Sequence, residues 1–263
     1  MDILEKVKEL VKEASTLCFK DDLIVESKGS NTNYVTDVDK AVEVFLGERL
    51  PKLIDGSRML GEEGDSIKDA SGYVWVVDPI DGTANFIRHF NLSAISVGLF
   101  YNTEPTLGVI YNPFTDEMFY SKKGEGAFLN GTPIHVSDRD YNHSTIFTAF
   151  SLYDKTQAEP CFNILQRIYY DTDDMRRLGS AALELASLAA GRAELYFEIR
   201  IFFWDFAAGL SIISEAGGYY EILNFTEEPL DYNKPYALIA ANSKESLEKL
   251  RAIVTEEINA WKK

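Results

Sequence analysis

The chain has 263 residues, 46% apolar and 26% charged, which is long enough for a substantial core and too apolar for disorder. Its formal net charge of −16 argues against nucleic acid or an anionic membrane as the main partner, since both recruit cationic faces. Cys18 and Cys161, the two cysteines, have neither metal-ligand nor redox spacing and read as free thiols of a reducing cytosol.

Residues 2–20 predict an amphipathic helix, with Ile3, Leu4, Val7, Leu10, Val11, Ala14 and Leu17 at helical spacing. Charges interrupt this run throughout, so neither a signal peptide nor a membrane span is expected, and the expected location is cytoplasmic. A second helix is predicted over 37–50, then a strand ending before Glu62 and a buried strand over 73–77, rich in β-branched and aromatic residues. Strands follow over 93–101, 107–111, 117–121 and 126–129, separated by turn signals such as Asn130-Gly131, and read as antiparallel hairpins. Past residue 143 the pattern changes to alternation: strands over 145–150, 175–178, 193–197 and 236–240, helices over 158–169, 180–190, 205–216 and 244–261. The fold class is therefore α+β / α/β, with an antiparallel-rich half over 1–143 and a mixed, mostly parallel half over 144–263.

Four acidic segments interrupt this regular pattern. The strand of residues 73–77 runs into Asp78-Pro79-Ile80-Asp81-Gly82-Thr83, where Pro79 stiffens the backbone between two carboxylates and the Ile80 carbonyl adds a third oxygen. Hard cations such as Mg²⁺ take oxygen donors of this kind. Gly61-Glu62-Glu63-Gly64 lies upstream, and Trp204-Asp205-Phe206-Ala207-Ala208-Gly209 places one carboxylate among aromatics downstream. Asn33-Tyr34-Val35-Thr36-Asp37-Val38-Asp39 opens the second helix. Each segment also fits a plainer role: Asp205 and Asp37 as helix N-caps, Glu62 and Glu63 in a solvated loop.

In their order and separations these segments resemble the inositol monophosphatase family of Mg²⁺-dependent, lithium-sensitive phosphatases. The likeness runs from Lys28 through the Gly217-Gly218 turn, and Asp-Pro-Ile-Asp-Gly-Thr followed by Asn85-Phe86 is its most specific part. It implies a layered α-β-α-β-α sandwich, with the site in the cleft between the halves. Carboxylates converging within ~4 Å repel by about 4 kcal/mol per pair at an effective dielectric of ~20. Divalent cations remove that cost, so Glu62, Asp78, Asp81, Asp205 and the Ile80 carbonyl are read as ligands of two or three Mg²⁺. By resemblance Asp39 and Thr83 orient and deprotonate the attacking water, with Glu62 beside them in the catalytic group. Asp81, Gly82 and Thr83 are assigned to the phosphate, and the first turn of a helix over 83–87 supplies N–H donors. Gly179, Ser180, Ala181 and Glu198 map by resemblance onto the positions that bind substrate hydroxyls.

The expected function is Mg²⁺-dependent hydrolysis of a small phosphorylated polyol or sugar, inositol monophosphate first, by a homodimer. Fructose-1,6-bisphosphatase, NADP(H) phosphatase and 3′-phosphoadenosine nucleotidase activities are alternatives within the superfamily. A non-catalytic regulatory partner of a larger complex is the alternative of another class, and it would tolerate decay of the metal acids. Departures from the family pattern are Asn33 in place of an Asp, the bulky Ile199-Arg200-Ile201-Phe202-Phe203 run, and Arg88-His89. Arg200 reads first as the partner of one of the many surface acids, with contact to a second phosphate or a carboxylate as the alternative. His89, His135 and His143 have no metal-ligand spacing. Asp171-Thr172-Asp173-Asp174 fails as a Ca²⁺ loop, because Arg176 fills the Gly position and Ala182 the terminal Glu position.

Overall fold

The computed structural model describes residues 2–20, 22–27, 34–64, 66–67, 71–150, 155–223 and 231–261. Helix α1 (Ile3–Ala14) buries Leu4, Val7, Val11 and Ala14 along one stripe and ends in a 3-10 turn over Ser15–Phe19. A short antiparallel ladder of β1 (Val25–Ser27) and β2 (Tyr34–Thr36), absent from the sequence prediction, leads into α2 (Asp37–Gly47). Thr36, not Asp37, caps α2. Its Oγ1 accepts from the N–H groups of Val38 and Asp39, and the Asp39 carboxylate accepts the Thr36 N–H at 2.9 Å. Asp37 pairs with Lys20 and accepts the Ile24 N–H instead. Asn33 and the rest of residues 28–33 lie outside the described residues.

A seven-stranded sheet follows in the order β3 (Arg58–Gly61), β4 (Tyr73–Asp81), β5 (Ala94–Tyr101), β6 (Glu104–Asn112), β7 (Glu117–Lys122), β8 (Gly126–Leu129) and β9 (Thr132–Ile134), with α3 (Thr83–Ile87) between β4 and β5. Only β3 and β4 pair in parallel, and the other neighbours are antiparallel as expected. The remaining elements are β10 (Thr145–Thr148), α4 (Ala158–Tyr169), β11 (Asp174–Arg176), α5 (Ala181–Ala189), β12 (Leu195–Ile201), α6 (Phe203–Glu215), β13 (Tyr219–Leu223), β14 (Tyr236–Ala241) and α7 (Lys244–Trp261). The second sheet has the order β11-β10-β12-β14-β13. It is mixed as expected, but parallel pairs make up half of it: β10 is parallel to β11 and β12, and β14 is antiparallel to β12 and β13.

Three cores divide these elements into five layers. Apolar residues of α1 and α2 cover one face of the large sheet with Trp75, Val77, Val97 and Val109. The opposite face, with Val74, Val76, Phe100 and Phe119, packs on α5 and α6, whose other side meets Tyr196, Leu238 and Ala240 of the small sheet. The outer face of the small sheet, with Leu195, Phe197 and Ile239, packs on α4 and α7 through Ile164, Ile168, Leu250 and Val254. The result is the α-β-α-β-α sandwich. Helices α5 and α6 are apolar on nearly every side because sheets flank them both, and each large buried side chain contributes about 1.5–3 kcal/mol. Among the described residues no helix is long and apolar enough to cross a membrane. Cys18 and Cys161 are buried free thiols.

Candidate active site

Parallel pairing of β3 with β4 sets Gly61 beside Val77, so the next residues, Glu62 and Asp78, lie side by side. Strand β4 continues through Asp81 instead of stopping at Val77 as the sequence suggested. Its ladder with β5 shifts register between Asp78 and Asp81. This irregularity explains the motif. In a regular strand, residues three apart face opposite sides, whereas an extra residue returns both carboxylates to one side. Pro79 sits inside the irregularity, where its missing N–H does little harm. The Asp78 carboxylate accepts the Ile80 N–H at 3.0 Å.

Gly82 caps α3 with φ of 85°, and a Cβ there would lie 2.9 Å from the Leu92 carbonyl oxygen. Only glycine makes that turn without strain. Gly61 answers a different demand: the Glu43 carboxylate of α2 packs where its Cβ would be, at 2.4 Å, and accepts the Glu63 N–H at 2.9 Å. Glu43 thereby holds the loop that carries Glu62.

Asp205 comes from the far side of the cleft. It lies in the first turn of α6 and accepts the Phe202 N–H at 2.9 Å, which is the return half of a cap and not the N-cap itself. Carboxylate oxygens of Asp78, Asp81 and Asp205 fall within 4.8 Å of one another. Burial first, then repulsion from Glu62, Asp81, Asp205 and Asp39, holds the Asp78 carboxyl well above the usual range. Asp205 is raised the same way, by burial and then by Asp81, Glu62 and Glu198. Asp81 rises to about 6 through burial, against the hydrogen bonds of Ser180 and of the Ala182, Ala181 and Gly82 N–H groups. A concentration of buried oxygen ligands that destabilise one another's charge is the chemistry a hard divalent cation relieves. The donor set fits Mg²⁺.

Asp39 is fully buried beneath this cluster. One carboxylate oxygen accepts from the Thr83 hydroxyl at 3.2 Å, and the other accepts from Thr36. The Thr83 hydroxyl also lies 3.1 Å from the Ile80 carbonyl oxygen. On the C-terminal side Ser180 caps α5, and its hydroxyl donates to Asp81, as does the Ala182 N–H at 2.8 Å. Glu198 accepts from Tyr196 at 2.9 Å, and burial pushes its carboxyl up to about 8.

The sequence profile of the inositol monophosphatase family matches residues 1–259. The chain belongs to that family. It is 34% identical over 246 residues to the inositol-1-monophosphatase of Bacillus subtilis, covering 92% of each chain. It is 39% identical over 191 residues to a Nus factor SuhB of Xylella fastidiosa, covering 72% of this chain and 69% of that one. The inositol monophosphate-bound SaIMPase-II structure superposes with a TM-score of 0.79 at 31% identity, covering 98% and 96%. Like other inositol monophosphatase family members, the chain is a phosphoric monoester hydrolase with a cluster of acids suited to metal.

The cleft of this family member is open to solvent. Glu62, Asp78, Ile80, Asp81, Gly82, Thr83, Gly179, Ser180, Ala181, Glu198 and Asp205 all line it. Asp39 does not, reaching the cleft only through Thr83. Sequence reasoning missed Tyr34, Ala149, Phe150 and Arg177 in the lining. Arg200, the alternative candidate for a second anion, is not in the lining, and its guanidinium lies 5.8 Å over the Phe202 ring. Arg177 stands two residues before Gly179 in the segment already assigned to substrate, and that proximity was the available signal.

Proposed function

We propose that this protein hydrolyses small phosphate monoesters, inositol monophosphate first, with two or three Mg²⁺ held by Glu62, Asp78, Asp81, Asp205 and the Ile80 carbonyl. The observation that carries this reading is the convergence of Asp78 and Asp81, from one strand of the large sheet, with Asp205, from a helix N-terminus, within 4.8 Å. Held by these groups, Mg²⁺ would neutralise the cluster, favour phosphate binding in a protein of net charge −16 and lower the pKa of water.

The side chains then have separate tasks. The Thr83 hydroxyl donates to Asp39, which leaves an Oγ1 lone pair to accept a proton from water. That proton passes to Thr83 as the Thr83 proton passes to Asp39, and the resulting hydroxide attacks phosphorus. The phosphorus–alkoxide bond breaks on the opposite side, and the alkoxide takes a proton from water in the open cleft. Thr36 keeps Asp39 aimed by holding its second oxygen. Gly82 and Thr83 face the phosphate, and Glu198 with the Gly179–Ala181 turn faces the substrate hydroxyls. Burial raises the Glu198 carboxyl to about 8 in the metal-free chain, against its hydrogen bond from Tyr196.

A second anionic group on the substrate is favoured by Arg177. Its guanidinium lines the cleft 5.2 Å from the Phe150 ring, and among the described residues it has no ion-pair or hydrogen-bond partner. The test is phosphate release with Mg²⁺, with and without Li⁺, from inositol 1-phosphate, fructose 1,6-bisphosphate, NADP and 3′-phosphoadenosine nucleotides. Arg177→Ala is expected to raise KM about tenfold for substrates with a second anion, and less than about twofold for inositol 1-phosphate. Release from no monoester would instead favour a regulatory partner, the role that a relative named Nus factor brings to mind.

Metal and pH should act together on stability. The carboxyls of Asp81, at about 6, and Glu198 and Glu184, at about 8, bind protons more tightly in the folded chain than in the unfolded one, where they titrate near ~4. Their contribution is complete below ~4 and is lost as pH rises through about 6 to 8. Thermal melts in EDTA should therefore show a melting temperature that falls over this window. Mg²⁺ should raise it more at high pH than at low pH. A metal-free melting temperature that rises across the window would contradict the raised carboxyls.

A further inference from the structure

Behind the substrate-hydroxyl face of the cleft lies a carboxyl that the proposed chemistry does not use. Glu184, one turn into α5, is 0% exposed. Its Oε1 accepts the N–H of Leu178 at 2.6 Å and of Gly179 at 3.2 Å, two donors outside its own helix. Its Oε2 is buried and has no hydrogen-bond partner among the described residues. Asn85 grips the same turn from the opposite side, its Nδ2 donating to the carbonyls of Leu178 and Leu92 at 2.8 Å each. The turn ends in Ser180, whose hydroxyl donates to Asp81, joined there by the Ala182 N–H.

An anchor needed only for stability has a simpler solution. Ser180 already caps α5, and an apolar side chain would fill the volume without burying an orphaned oxygen. Leu178 and Gly179 are only half-buried, so their N–H groups could turn to water if released. A carboxyl in this place trades stability for a fixed turn. We propose that Glu184 is a positioning residue, acting through Leu178–Gly179–Ser180 to set both the hydroxyl-binding face of the cleft and the orientation of Asp81. The kinetic consequence rests on the phosphatase reading. The positioning itself does not.

The test compares Glu184→Met, which keeps length but offers no oxygen acceptor, with Glu184→Gln, which keeps one. Glu184→Met should fold with a melting temperature at or above that of the parent. It should nevertheless raise KM for inositol 1-phosphate and the half-saturating Mn²⁺ concentration by about tenfold, since small misplacements of site groups are costly. Amide exchange at Leu178 and Gly179 should quicken in the same variant, and kcat should change less than KM. Glu184→Gln should return all three to within about threefold of the parent. Parental KM, Mn²⁺ affinity and exchange in Glu184→Met would overturn the proposal. So would failure of Glu184→Met to fold, or equal impairment of Glu184→Gln, either of which assigns Glu184 a different role. If the parent does not hydrolyse inositol 1-phosphate, the Mn²⁺ titration and amide exchange still decide the matter, and the kinetic failure counts against the substrate assignment alone.

Discussion

Asp78→Asn should abolish phosphate release while making the metal-free protein more stable. Asp78 is 1% exposed, and its carboxylate faces Glu62, Asp81, Asp205 and Asp39. Asparagine keeps an oxygen to accept the Ile80 N–H, so local geometry survives. What disappears is a buried carboxyl that must either carry charge among like charges or take up a proton to avoid it. Activity should fall by 10²–10³-fold or more, on the order of other losses of preorganised electrostatic groups. In EDTA the melting temperature should rise by about 2–4 °C for each kcal/mol of repulsion relieved. Calorimetric titration with Mg²⁺ and melts in EDTA would measure both. Parental Mg²⁺ affinity in the variant, or a lower metal-free melting temperature, would remove Asp78 from the metal site. Loss of activity together with a gain in stability is the signature of an acid retained for its ligand and not for the fold.

Asp39→Asn should separate metal binding from turnover. Asp39 lies outside the cleft lining and meets it only through Thr83. An asparagine here keeps its oxygen on the Thr36 N–H and turns its amide N–H₂ toward Thr83. The hydrogen bond to Thr83 is then reversed: the hydroxyl accepts from residue 39 and donates to the Ile80 carbonyl, so a proton taken from water has no base to pass to. The expected loss in kcat is about 10²–10⁴-fold, the range for a general base, with Mg²⁺ affinity within about threefold of the parent. A kcat within tenfold of the parent would shift the base to another residue. Asp205→Asn should differ by weakening Mg²⁺ binding as well as turnover, because Asp205 faces the cluster directly.

Both predictions concern residues that were visible in the sequence, though for different reasons. Asp-Pro-Ile-Asp-Gly-Thr stood out because acids and a proline interrupted an apolar strand. Its physical logic, a shifted register that turns Asp78 and Asp81 to one side, needed the pairing with β5. The segment ending in Asp39 read as a helix start with Asp37 as its cap, and Asp39 is the residue in the capping box: its bonds to Thr36 and to Thr83 use different oxygens of one carboxylate. Strand β13 escaped notice because Tyr219–Leu223 is an edge strand of mixed burial, without the alternation that marks a half-buried strand. The parallel share of the second sheet was overestimated because strand–helix alternation does not say where β14 inserts. It enters between β12 and β13 and runs against both.

Residue order alone disclosed the helical stripes, most of the strands and the candidate acids, since these depend on periodicity and on local chemistry that survives in a linear chain. Tertiary structure decided which of them meet. Asp205 stands 124 positions beyond Asp81 and approaches it only because α6 is wedged between two sheets with its first turn at the cleft. Arg177 displaced Arg200 as the cation of the rim for the same reason: proximity between distant segments is set by packing, which no local pattern encodes.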